Sequence, residues 1–341
     1  MDSPLKDLRT PLERLPRSPG RGMRAAAKLY GGLSALNGAL LALLPRVRTS
    51  APLISVGNLE VGGTGKTPVL ASLATMLQKL GYRPGLLTGL GEGGSAGILD
   101  MDELPTPAEP PDEALLLSRR FPEMPVTAAR PKWKGAKRLD ARADCDLILL
   151  DDGFQHRRLH RDLDLVLLSG VTPMEKNRVL PAGPLREFPS ALERADAFFM
   201  PLSLPLPDNL PDRPVFRFST RNTGLFDLAG NRVEAGNGPF MVISAIARPV
   251  RFERAAEDWG PITLRLRFRD HAPWSSEIRS SVSEAMEEYP GCQPLLTEKD
   301  AARWGASWDL PGTSPLYLDL EIDWEDLAGL LEWLRAKLRP A

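Results

Sequence analysis

Between Lys28 and Arg46 the chain carries no charged residue, and its large apolar side chains fall at Leu29, Leu33, Leu36, Leu40 and Leu43/Leu44. That spacing of three to four predicts one apolar face of a helix. From Pro52 the pattern changes. Leu53–Gly57 is a short apolar run, followed by a glycine-rich loop and a helix expected over about residues 68–80, where Gly81 stops it. Apolar runs at 85–88, 147–150 and 164–168 read as further buried strands, the last two closed by polar residues. Short apolar strands alternating with helices predict an α/β fold, a parallel sheet covered by helices on both faces. A proline-rich stretch, 201–214, precedes a possible edge strand at Val215–Phe218. Phe240–Ser244 opens a second strand–helix series that ends in a helix over about 324–338. The expected organisation is an arm at 1–48, a first α/β domain at 49–208 and a smaller α/β domain at 209–341 that closes a cleft.

Composition narrows the classes without choosing among them. Apolar residues make up 43% of 341, enough for a sizeable core, and the net charge of −1 gives no case for a nucleic-acid partner. The charge is uneven, however: residues 1–48 hold nine Lys/Arg against three acids. Basic residues therefore flank the uncharged segment, which is shorter than the roughly 20 residues that span a bilayer and is interrupted by Gly31, Gly32, Asn37 and Gly38. The segment fits a helix lying on an anionic membrane surface or one packed on a protein core. The two cysteines, Cys145 and Cys292, lie far apart without CxxC spacing, which implies neither a disulfide framework nor a zinc site.

The chemistry is concentrated after two of the strands. Gly62-Gly63-Thr64-Gly65-Lys66-Thr67 follows the 53–57 run and opens a helix, the context of a P-loop. Glycines let the backbone wrap an anion, and the helix N-terminus adds positive potential. Lys66 is then expected on the β/γ-phosphates of ATP and the Thr67 hydroxyl on Mg²⁺. Glu60 stands where the strict pattern has its first glycine. Asp151 and Asp152 close another strand and lead into Gly153-Phe-Gln-His156, placing two carboxylates where open parallel sheets bind ligands. Beside a P-loop they are candidates for holding Mg²⁺. A secretory signal at the N-terminus fits poorly with motifs that need cytoplasmic ATP.

Other polar groups are ambiguous from residues alone. Asp112-Glu113 begins an apolar helical stretch and reads equally as a helix start compensating the dipole. His271, after Asp270, suits acid–base work or a structural place. Arg130 with Lys132, Lys134, Lys137 and Arg138 forms a basic run that could meet phosphates or face solvent.

Together the motifs resemble the tetraacyldisaccharide 4'-kinase family. The resemblance is carried by Val56–Pro68, by Asp151–His156 with Arg161–Leu163, by Leu180–Glu187, by Thr297–Asp300 and by Asp270-His271, in order over about residues 25–330. It implies a P-loop NTPase-like fold and transfer of the ATP γ-phosphate to the 4'-hydroxyl of an acylated glucosamine disaccharide 1-phosphate. It further implies a membrane-surface helix at the N-terminus and work at the cytoplasmic face of the inner membrane, as a peripheral or monotopic protein. On matching positions the resemblance makes Asp112 the general base with His271 as partner. It assigns Lys66, Thr67, Asp151 and Asp152 to phosphates and Mg²⁺, and Glu113, Arg130, His156, Arg186 and Glu187 to the active site, Glu187 beside the metal. The chain departs from the family at Thr88-Gly-Leu-Gly91, where Arg-Gly-Tyr-Gly is usual, at Pro111 and at Glu60. Those departures leave two alternatives: a kinase for a different membrane glycolipid, or a P-loop ATPase switch without an acceptor.

Overall fold

The structure, a computed structural model, describes residues 19–62, 64–91, 96–103, 110–168, 178–234, 238–304, 308, 310 and 313–338. Helix α1 covers Arg21–Leu43, longer than the uncharged segment because Arg21–Lys28 extend the same helix. Its buried residues are Ala27, Gly31 and Gly38, all small, while Leu29, Leu33, Leu36, Leu40 and Leu43 stand exposed. None of the described helices is long and apolar enough to cross a membrane.

The chain forms two compact units. One is Arg221–Glu321; the other runs up to Thr220 and resumes at Ile322. Within the latter, β1 (Leu53–Gly57) lies between β5 (Leu147–Asp151) and β6 (Leu163–Leu167), parallel to both. Beyond β5 come β2 (Pro84–Thr88), β4 (Val126–Arg130) and β3 (Gly97–Asp100), the last antiparallel. Beyond β6 come β7 (Ala197–Pro201) and the start of β8 (Val215–Asp227), both parallel. Every residue of β1, β2, β5 and β6 is buried, which is why these strands read as continuous apolar runs and not as alternations. Helices α2 (Lys66–Lys79), α3 (Asp112–Arg120) and α4 (Lys132–Asp140) pack on this sheet.

Three expectations shift. Strand β8 is not a four-residue edge strand: it continues to Asp227 and turns back on β9 (Arg232–Val233). Among the described residues the chain passes between the units inside β8 and inside β13 (Leu316–Trp324), so the division falls at 220 and not at 208. The C-terminal helix, grouped by sequence with the second domain, belongs to the P-loop unit and starts at Leu327. Trp324 still ends a strand: its indole packs on Phe199 at 4.8 Å between centroids and donates to the Ser72 hydroxyl at 2.9 Å. Leu330 and Leu334 are fully buried behind it.

The Arg221–Glu321 unit has its own parallel order, β11 (Ile262–Arg267), β10 (Phe240–Ser244), β12 (Gln293–Thr297) and β13. Its core includes Trp274, Trp304 and Trp308, the last two stacked with centroids 3.7 Å apart. Cys145 and Cys292 are both buried free thiols, and burial pushes Cys145 up to about 11.

Candidate active site

Because β1 and β5 are neighbours in parallel register, with Val56 opposite Asp151, whatever follows each strand emerges at the same edge. The Asp152 N–H donates to the Val56 carbonyl at 2.8 Å and ties the two strand ends together. The glycine-rich loop and the acidic pair, 85 residues apart in sequence, are adjacent in space for this reason.

Gly65 caps α2 from the left-handed region at φ 84°, a conformation natural to glycine, and so the helix begins at Lys66, two residues earlier than the periodicity suggests. Gly62 is left-handed too, at φ 95°, while Gly63 lies outside the described residues. Lys66 Nζ stands 3.4 Å from Asp152 Oδ1 and donates to Asn58 Oδ1 at 3.2 Å. The buried Asn58 amide donates to the Thr64 hydroxyl at 3.0 Å and to the Glu60 carbonyl at 2.8 Å. Asn58 thus shapes the loop and aims the lysine. Sequence reading missed this role, although a buried polar residue directly after an apolar strand was a usable signal.

The acidic pair is electrically split. Burial pushes Asp151 up to about 6, against the pull of Lys66 and Lys132. Burial acts upward on Asp152 as well, yet Lys66, Arg186 and Lys132 together hold it well below the usual carboxylate range. Arg186 Nη1 donates to Asp152 Oδ2 at 2.8 Å. Asp152 has φ 50°, an uncommon left-handed conformation for a residue with a Cβ. The Lys132 ammonium spans this turn from beneath, donating to the carbonyls of Asp151 and, at 3.0 Å, Asp152. Burial lowers Lys132 from its ordinary value, with the two aspartates opposing. A basic run that could equally have faced solvent therefore supplies one inward ammonium.

The remaining candidates divide. Arg130 ends β4, and its guanidinium donates to the Gly91 carbonyl, so the altered 88–91 segment lies against this arginine. His156 is open to solvent on one side. The protein packed on its other side, with Lys132, still holds it down to about 4, so it is neutral at physiological pH. Asp112 and Glu113 open α3 as expected, and Glu113 is near enough to Asp151 to act on its ionisation. Glu187, expected beside the metal, is engaged elsewhere. It accepts from Arg157 at 2.7 Å and from Arg194 at 3.0 and 3.1 Å, and these cations hold its carboxyl below the usual range against burial. His271 belongs to the Arg221–Glu321 unit, with φ 57° and Lys299 Nζ at 3.4 Å from both ring nitrogens.

The donor set suits Mg²⁺. Asp151 Oδ1 and Asp152 Oδ1 are buried without hydrogen-bond partners, and Thr67 lies in the first turn of α2 beside the lysine. Among the described residues no group of three His, Cys, Asp or Glu could hold a metal unaided. Magnesium does not require one, since it is commonly bound by one or two carboxylates together with substrate phosphates and water.

The arrangement has counterparts. The sequence model of the family described as Tetraacyldisaccharide-1-P 4'-kinase matches residues 21–339. A Tetraacyldisaccharide 4'-kinase of Aeromonas hydrophila is 35% identical over 259 residues, covering 75% of this chain and 74% of that protein. One from Anaeromyxobacter dehalogenans is 35% identical and covers 83% and 81%. Among solved structures, LpxK from Aquifex aeolicus, described as an "apo" form in complex with ATP, superposes with a TM-score of 0.78 at 25% identity. That match covers 93% of this chain and 99% of that one.

Proposed function

The chain belongs to the tetraacyldisaccharide-1-P 4'-kinase family, and on that premise we propose how its own residues carry out the transfer. It is an ATP-dependent kinase of lipid A synthesis that moves the γ-phosphate of ATP to the 4'-hydroxyl of a tetraacyldisaccharide 1-phosphate. The observation that carries the site assignment is the 3.4 Å approach of Lys66 Nζ to Asp152 Oδ1, which unites the phosphate loop and the acidic strand end in one site.

In this reading the loop from Gly62 to Gly65 cradles the phosphates, and Lys66 reaches toward the transferring group. Arg186, already seated on Asp152, adds a second fixed positive charge beside it, with Arg130 and His156 as further contacts to the nucleotide. Thr67, Asp151 and Asp152 would hold Mg²⁺, which offsets the charge building on the phosphoryl group. Glu187 leaves the metal set and fixes arginines instead. Asp112, at the first turn of α3, takes the proton from the attacking hydroxyl, and His271 serves as the second acid–base residue.

The acceptor is a lipid, and α1 gives the protein a way to meet it. Its exposed leucines form an apolar face, and Arg21, Arg24, Lys28, Arg46 and Arg48 flank it with positive charge. That combination suits a helix lying in the headgroup region of an anionic leaflet, on the cytoplasmic side where ATP is available. One preparation tests both parts. The full chain is incubated with γ-labelled ATP, Mg²⁺ and vesicles of anionic lipid carrying the disaccharide 1-phosphate, and the vesicles are floated. Label in the disaccharide and protein in the floated fraction, the latter reduced by high salt, are the expected results. Label released only as inorganic phosphate would remove the transfer. Protein left wholly at the bottom of the gradient would remove the membrane helix.

A further inference from the structure

Helix α1 rests on the P-loop unit through glycines, and its contacts there lie one step from the phosphate site. A Cβ at Gly31 would come within 2.4 Å of the Phe188 ring, and one at Gly38 within 2.5 Å of the Arg157 guanidinium. Phe188 follows Glu187 in the chain, and Arg157 donates to Glu187 at 2.7 Å. Both side chains under the helix therefore bear on the residue directly after Arg186, the arginine bonded to Asp152.

The segment these contacts hold is built to transmit position. The Arg186 N–H donates to the Leu59 carbonyl at 2.7 Å, and the Val61 N–H to the Pro184 carbonyl at 2.9 Å, so the 184–186 strip is laced to the phosphate loop. On the other side Arg194 grips both oxygens of Glu187, lies 4.2 Å from the centroid of the Phe154 ring, and donates to the Phe154 carbonyl at 3.3 Å. Phe154 comes two residues after Asp152. Glu187 is thus clamped between two cations, one reached by α1 and one seated on the acidic loop. Beneath them Ala27 of α1 joins Leu59, Phe154, Val179, Leu185 and Leu192 in one apolar cluster.

We infer that Arg157 is a positioning residue for the transfer and that α1, through Gly38, sets where its guanidinium stands. The helix that meets the lipid is in this way a structural part of the phosphate site: Gly38 holds Arg157, Arg157 holds Glu187, and Glu187 fixes the strip that presents Arg186 to Asp152. The inference rests on the reading of Arg186 and Asp152 as nucleotide-site groups, and the test separates the two.

Gly38→Ala inserts one methyl against a movable guanidinium, so the helix can stay seated while Arg157 is displaced. Gly32→Ala adds the same methyl to the same helix where nothing lies within 4 Å, and serves as the control. Measured on the full chain in vesicles, Gly38→Ala and Arg157→Ala are each expected to raise KM for ATP or lower kcat about tenfold, while Gly32→Ala stays at wild-type rates. The double variant Gly38→Ala/Arg157→Ala should be no worse than Arg157→Ala alone, because both break one link. Arg157→Lys should recover part of the loss, and flotation and melting temperature of Gly38→Ala should match wild type. Wild-type kinetics for Gly38→Ala and Arg157→Ala, or fully additive losses in the double variant, would overturn the coupling. Arg186→Ala distinguishes the failures: if it leaves ATP binding intact, the site reading itself is wrong, and if it alone weakens binding, only the link to α1 is.

Discussion

At the scale of single residues, the site works by crowding unlike ionisations into a small volume. Asp151 is raised to about 6 and Asp152 is pushed down, although they are adjacent in sequence, because one is set mainly by burial and the other by three cations. A divalent cation held there would relieve the tension by favouring the ionised form of Asp151. Lys66 and Asp112 are predicted to fail differently. Lys66→Ala removes the ammonium facing Asp152, so ATP affinity and transfer should both fall. Asp112→Ala should leave ATP affinity within about twofold while transfer drops on the order of a hundredfold or more, the usual worth of a general base. Equilibrium binding of a fluorescent ATP analogue beside single-turnover transfer separates the two, and a normal rate for Asp112→Ala would remove it from the chemistry.

At the scale of elements, Glu187 acts as a joint between cations. It joins the 3-10 turn at Pro189–Arg194 to the loop after β5 through charge pairs that are largely shielded from water. Its folded pKa lies below the unfolded one, so its contribution is complete above the ordinary carboxylate value and fades as pH falls through the depressed one. Glu187→Gln is therefore expected to cost about 2–4 kcal/mol at neutral pH. The gap to wild type should narrow steadily below roughly pH 4. Urea denaturation across that range is the measurement, and a gap independent of pH would mean that the charge is not what matters. Helix α1 shows the converse economy: glycines that weaken it as an isolated helix allow its close seat on Phe188 and Arg157.

Across the whole molecule, the P-loop unit is completed by residues from both sides of the Arg221–Glu321 segment. Trp324 and the helix Leu327–Leu338 supply buried surface to it, with Trp333 5.5 Å from Phe216 between ring centroids. Leu334→Ala is expected to destabilise this unit by about 2–4 kcal/mol through the cavity it leaves. The loss should appear in ATP-dependent protection as well as in thermal melting. A variant that melts normally, or one in which only probes in Arg221–Glu321 respond, would place the C-terminal helix elsewhere.

Local sequence was enough for what depends on local chemistry. The apolar runs fixed β1, β5 and β10 because strands buried on both faces must be continuously hydrophobic, and Gly65-Lys66-Thr67 marked a phosphate loop because few other residues permit its backbone. Motifs pointed to Asp151, Asp152 and Arg186, and the structure sets Arg186 and Lys66 on Asp152. Tertiary structure alone decided the rest. Asn58 and Lys132 became part of the site only when β1, β5 and α4 were brought together. Glu187 was engaged by Arg157 and Arg194, 30 residues before it and 7 after it in the chain. The C-terminal helix was assigned by packing, with Trp333 set against Phe216 of β8, which no periodicity within the helix encodes. A motif specifies which groups can do chemistry; which neighbours neutralise, aim or occupy them depends on contacts between segments distant in sequence.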